Sequence, residues 1–198
     1  MKKKVIIVHG WGGYPEEGWF PWLKRELEKK GFTVTVPQMP NPEEPKIEAW
    51  VSHLAEVVGE PDEHTYFVGH SIGCQTILRY LETIDAKVGL PAQAGGAVLV
   101  AGFFDVLTGL EGEEERAIVK PWLETPIDFE KVKQAADNFV AIFSDDDPFV
   151  PLEKNRNIFE EKLGARVFVE SNKGHFSGPT DKCTELPITL EAVLALED

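Results

Sequence analysis

The chain has 198 residues, of which 42% are hydrophobic, and its 34 Asp and Glu outweigh 20 Lys and Arg to give a formal net charge of −14. That length and apolar content suit one packed domain over residues 1–198 and exclude disorder as the main state. The acidic excess argues against nucleic acid or an anionic membrane as partner, because phosphate charge would repel it.

Short β-branched runs alternate with longer amphipathic ones. A strand is predicted at 5–8, then a helix at 22–30 closed by Gly31, and a strand at 32–36. A helix at 46–58, a strand at 66–68, a helix at 72–82 and a strand at 97–100 follow. The chain finishes with a strand at 139–143, a helix at 152–163 closed by Gly164, a strand at 166–169 and a helix at 186–196. Glycines just past a periodic run suit the left-handed position that ends a helix. The alternation implies an α/β fold: a parallel sheet of about six strands with helices on both faces. Two stretches break the rhythm. Pro37, Pro40, Pro42 and Pro45 predict an extended loop. Residues 103–128 are too long for an ordinary connection, and read either as a lid-like insertion or as a surface helix with a solvated acidic face.

The longest nearly apolar run, 95–104, is far short of the roughly 20 residues of a spanning helix. The basic start Met1-Lys2-Lys3-Lys4 leads into only four apolar residues before His9, fewer than a secretory segment needs. Cys74 and Cys183 have neither metal spacing nor the number for a disulfide scaffold. Two reduced thiols in a cytoplasmic protein are expected.

The chemistry centres on Gly69-His70-Ser71-Ile72-Gly73, a Gly-x-Ser-x-Gly pattern between a predicted strand and a predicted helix. In that setting it is the nucleophile elbow, a turn so tight that side chains flanking the serine would collide. Serine needs a base, and the base an orienting acid, in the chain order Ser, acid, His. His175 is the one histidine after Ser71; His9, His53, His64 and His70 all precede it. The acid has three candidates: Asp147, fixed by Pro148 at a strand's C-terminal end; its neighbour Asp146; and Asp105, one strand earlier. An oxyanion needs two fixed N–H donors, for which Ile72 at a helix N-terminus and Trp11 in the loop His9-Gly10-Trp11-Gly12-Gly13 are the candidates. That loop lacks the last glycine of a dinucleotide-binding motif and the Gly-Lys-Ser/Thr of a P-loop. His9 reads as a structural histidine and Cys74 as a small buried hydrophobe. Phe103, Phe104 and Trp122, with Leu107 and Leu110, are candidates for an apolar acyl pocket.

With these residues the sequence resembles the small serine hydrolases related to retinoblastoma-binding protein nine, the YdeN-like family. The resemblance runs over nearly the whole chain: the glycine loop at 10–13, Met39-Pro40-Asn41-Pro42, Gly69-His70-Ser71, Lys120-Pro121-Trp122, Asp146-Asp147-Pro148-Phe149-Val150-Pro151 and Gly174-His175-Phe176. It implies a compact α/β-hydrolase fold without a separate cap domain, and a triad at Ser71, Asp147 and His175. The implied activity is cofactor-free cleavage of a small ester, with an amide or thioester as the alternative. A binding or regulatory module that keeps the fold with weak catalysis is the rival class. His9 and Trp11 stand where relatives often carry smaller or different residues. The founding member's Leu-x-Cys-x-Glu motif is broken, since Asp181 occupies the Leu position before Cys183-Thr184-Glu185. Retinoblastoma-type binding is therefore not expected.

Overall fold

The computed structural model describes residues 2–84, 93–136 and 138–197. Six strands, β1 (Lys4–Val8), β2 (Thr33–Thr35), β3 (Thr65–His70), β4 (Gly96–Val100), β5 (Phe139–Ser144) and β6 (Arg166–Glu170), form one sheet in the order β2-β1-β3-β4-β5-β6. Every pairing is parallel. Of the four interior strands, β3, β4 and β5 are buried at every position and β1 at all but Lys4, whereas edge strands β2 and β6 alternate or lie half-exposed. Burial on both faces explains why the interior strands read as continuous apolar runs.

The two faces divide by side-chain parity. Ile6, Val8, Phe67, Leu99, Ala141 and Phe143 pack with α2 (Ile47–Val58), α3 (Ile72–Glu82), α4 (Glu113–Glu124), α5 (Phe129–Ala135) and α6 (Leu152–Glu161). Val5, Ile7, Val68, Val98, Val100 and Ile142 pack with α1 (Phe20–Lys29) and α8 (Pro187–Ala195). A short helix, α7 (Gly178–Asp181), lies between β6 and α8. Because α1 leaves β1 on one face and α3 leaves β3 on the other, a crevice opens between the C-terminal ends of these neighbouring strands.

The predicted strands and the five predicted helices all form, with bounds shifted by at most two residues. Gly31 and Gly164 adopt φ of 92° and 69° past α1 and α6. The 103–128 stretch contains a helix rather than a bare loop. Glu113, Glu114 and Glu115 occupy its first turn, where carboxylates complement the helix dipole, and the Glu115 carboxylate accepts the Gly112 N–H at 3.0 Å. Val119 and Trp122 are its buried positions. Helix α5 was not predicted; Asp128 caps it by accepting from Glu130 and Lys131 N–H.

The proline loop at 37–45 offers carbonyls that need donors from elsewhere. Three tryptophans supply them: Trp11 Nε1 to Glu43 O (2.9 Å), Trp50 Nε1 to Pro40 O (2.8 Å) and Trp122 Nε1 to Pro45 O (3.0 Å). His9 is fully buried beneath this loop, and its Nε2 accepts from Met39 N–H at 3.0 Å.

Candidate active site

Strand β3 ends at His70 and α3 begins at Ile72, so Ser71 alone makes the turn, with φ 53° and ψ −121°. Its N–H donates to Val100 O at 2.9 Å, which ties the turn to the end of β4. The flanking glycines are required by neighbours in space more than by each other. A Cβ at Gly69 would lie 2.8 Å from Cys74 Cα, inside the following helix. One at Gly73 would drive into the Val8 carbonyl oxygen and sit 2.7 Å from His9 O. Real Cβ atoms do not approach so closely, so α3 can pack on the end of β1 only with glycine there.

The loop after β1 comes equally close, since a Cβ on Gly10 would lie 3.3 Å from Ser71 Cβ. Within this loop Gly12 N–H donates to Pro42 O and Gly13 N–H to Gly10 O. The main-chain N–H groups of Trp11 and Ile72 have no acceptor among the described residues. The Ile72 N–H is in the first turn of α3, where donors are unpaired and the dipole favours an anion.

His175 follows β6, and its Nδ1 lies 2.8 Å from Asp147 Oδ2. Both are shielded, with side chains 14% and 2% exposed. The other Asp147 oxygen accepts from Phe149 and Val150 N–H. The adjacent carboxylates have different duties. Asp145 accepts from Asn172 N–H (2.9 Å), and Asp146 accepts from Gly174 N–H (2.8 Å) and the Ser144 hydroxyl (2.6 Å). The Ser144 hydroxyl in turn accepts from Lys173 N–H (3.0 Å). Residues 144–147 thus zip the loop after β5 to the loop after β6. These bonds hold the exposed Asp146 carboxyl below its ordinary range, with the Ser144 hydroxyl the largest cause. Asp105 is exposed, and among the described residues the His175 ring meets Asp147 and not Asp105.

Ser71 and His175 line one cavity of about 490 Å³, together with Trp11, Ile72 and His70. Phe103, Leu107, Leu110, Val119 and Phe149 form its apolar side. Among the described residues, Glu17, Glu43 and Glu115 are the acidic ones on its wall, with no Lys or Arg beside them. Burial raises the Glu17 carboxyl above its ordinary pKa. Of the three aromatic residues expected at a pocket, Phe103 alone lines this cavity. Phe104 instead packs against Phe129 and Phe159, and Trp122 against Trp50 with its indole on Pro45. Both are buried in the core; Trp122 is there because the α4 turn that carries it faces the proline loop rather than Ser71.

The Cys74 thiol is fully buried, donates to Val100 O at 3.3 Å and is pushed well up in pKa by desolvation, which keeps it protonated. His9 has its Nδ1 on Gly10 O and its pKa lowered by burial. Two further residues brace His175: His70, which in sequence stands in Gly69-His70-Ser71 and precedes the serine, and Asp181, which stands at a broken motif position. The His70 Nε2 is 2.7 Å from His175 O, and Asp181 Oδ2 accepts from the N–H groups of His175 and Ser177. Their one sequence signal is adjacency to motif residues.

The family model described as serine hydrolase matches residues 5–188. YdeN of Bacillus subtilis (strain 168) is 33% identical over 193 residues, covering 98% of this chain and 95% of its own length. The serine hydrolase RBBP9 of Rattus norvegicus is 30% identical over 176 residues, covering 87% of each. The crystal structure of B. subtilis YdeN superposes with a TM-score of 0.86 at 31% identity, over 98% of both chains. Est1E from Butyrivibrio proteoclasticus, solved with bound ferulic acid, shares the fold at TM-score 0.72 and 16% identity, over 98% of this chain and 88% of that one. The parallel six-stranded sheet, the elbow at Ser71 and the match over almost the full length agree: this chain is a member of the serine hydrolase family, with the α/β-hydrolase fold.

Proposed function

We propose that this protein is a carboxylesterase-like serine hydrolase, of class EC 3.1.1, that cleaves a small neutral ester through Ser71, His175 and Asp147. The observation that carries the reading is the 2.8 Å contact from His175 Nδ1 to a shielded Asp147 carboxylate, on the wall of the same cavity as Ser71. With Nδ1–H on Asp147, the ring's Nε2 is left unprotonated and able to accept a proton.

In this mechanism the Ser71 oxygen attacks the ester carbonyl while its proton passes to His175 Nε2. Asp147 holds the ring's tautomer and stabilises the imidazolium. The oxyanion is bound by the unpaired N–H groups of Trp11 and Ile72. Collapse breaks the C–O bond, and His175 returns its proton to the departing alkoxide. Water then attacks the acyl-enzyme, giving its proton to His175, which passes it back to Ser71. The chemistry requires no cofactor. Phe103, Leu107, Leu110, Val119 and Phe149 offer an apolar seat for the acyl group, and the three glutamates disfavour an anionic one. An amide or thioester is the alternative on the same residues. Free, buried Cys74 and Cys183 suit the reducing cytoplasm, and no helix among the described residues is long and apolar enough to cross a membrane.

Labelling with a fluorophosphonate probe tests the reading. Wild type should label and Ser71→Ala should not. No labelling of folded wild type favours a fold kept for binding alone, and equal labelling of both overturns Ser71 as the nucleophile.

A further inference from the structure

His175 is held at both of its main-chain polar groups. Its N–H donates to Asp181 Oδ2 at 2.9 Å. Its carbonyl oxygen lies 2.7 Å from His70 Nε2. A carbonyl can only accept, so the proton of His70 is on Nε2. The segment thus gripped is conformationally costly. Asn172, Gly174 and Phe176 all have positive φ, at 56°, 54° and 58°. Non-glycine residues hold such angles only where the surroundings over-determine them.

His70 is well built for a grip. It is 5% exposed and packs edge-on against Trp19 and Phe20, with ring centroids 6.1 Å away in each case. It is the last residue of β3, directly before Ser71. Its hydrogen bond therefore joins the strand that carries the serine to the loop that carries the histidine, across 105 residues of chain. The two imidazole centroids are 5.0 Å apart.

We propose that His70 is a positioning residue: its Nε2–H clamps the His175 carbonyl and so sets the separation over which Ser71 passes its proton to the His175 ring. The proposal rests on the reading of Ser71 as nucleophile and His175 as base. His70 lines the cavity beside Ser71, but its hydrogen bond goes to the His175 main chain and not to the reacting atoms. Burial, reinforced by the neighbouring His175, lowers its pKa to about 3, so it remains a neutral donor through the working pH range.

The test is the rate of inactivation by a fluorophosphonate, resolved into kinact and KI, for wild type, H70L, H70N and H70Q. Leu removes the donor at similar volume, Asn is too short to reach the carbonyl, and Gln can restore an N–H near the Nε2 position. Misplacement by an ångström or less should lower kinact about tenfold to a hundredfold in H70L and H70N, with KI little changed. H70Q should recover most of it. Wild-type kinact in H70L or H70N, or an H70Q as slow as both, overturns the clamp. If H70L fails to fold, the Asn and Gln pair carries the comparison. Independently, imidazole ¹⁵N shifts of wild type should report the Nε2–H tautomer of His70 from pH 8 to 5; the Nδ1–H tautomer overturns the proposal with no variant at all. A wild type that does not label, or labels without Ser71, removes the underlying reading and the clamp together. Ser71-dependent labelling with unaltered kinact in the variants removes the clamp alone.

Discussion

Asp147 meets the His175 ring at 2.8 Å, while Asp146 beside it turns to the backbone N–H of Gly174. One residue along the chain separates a carboxylate facing the imidazole from one bracing the loop that carries it. Asp147→Asn should therefore cost about 10³–10⁴ in turnover of a p-nitrophenyl ester, because the amide no longer holds the required tautomer. Asp146→Ala should cost far less turnover but lower the melting temperature, since it leaves Gly174 N–H and the Ser144 hydroxyl without their acceptor. Equal turnover losses in the two variants would contradict this division.

Gly73→Ala should be severely destabilising. Its methyl group would overlap the Val8 carbonyl oxygen at the end of the strand that supports the whole site. Relief requires α3 to move off β1, at a cost of about 3 kcal/mol by the overpacking scale. Denaturant unfolding reads this directly. A midpoint equal to wild type would mean that α3 can shift without penalty.

Acid should weaken the fold before the carboxylates titrate. His70 has a folded pKa of about 3, and His9 is also lowered by burial, against about 6.5 in an unfolded chain. Each takes up a proton on unfolding rather than in the native state. Their contribution is full above about pH 6.5 and is lost as pH falls towards the folded values, at up to about 1.4 kcal/mol per pH unit for each. Glu17 works the other way, because its folded pKa is raised, so its contribution is present at low pH and lost as pH rises through that value. The two histidines should prevail between pH 7 and 5. Thermal melts across that window should show a falling midpoint, with a shallower slope in His9→Gln. A flat profile would contradict the burial of neutral imidazoles.

Trp122 and Val119 lie one turn apart on α4 but should behave differently. Trp122→Phe removes the donor to Pro45 O and should lower stability by about 1–3 kcal/mol, leaving the acyl-length profile unchanged. Val119→Phe narrows the apolar side of the Ser71 cavity and should shift hydrolysis towards shorter acyl esters, a change of profile that Trp122→Phe does not make. Rates on a p-nitrophenyl ester series, beside thermal melts, separate the two effects.

The strands and the elbow were legible because their signals are local. Continuous apolar runs mark strands buried on both faces, and Gly69-x-Ser71-x-Gly73 is readable from five residues. Short elements were less so. Helix α5 has seven residues, too few for a periodic pattern to stand out, and its start depends on the Asp128 cap. The aromatic residues show the same limit, for Phe103, Phe104 and Trp122 read alike in sequence as large aromatic residues but have different destinations.

What the sequence determined by itself was the alternation of elements, the serine on its turn and the one histidine that follows it. Which carboxylate faces that histidine was decided by packing between the loops after β5 and β6. Consecutive residues of a turn point in different directions, so three adjacent aspartates separate only once Asn172, Gly174 and His175 are brought against them. The grip of His70 and Asp181 on His175 belongs to the same class. Its partners lie far apart or look incidental along the chain, and hydrogen bonds act over about 3 Å of space whatever the separation in sequence.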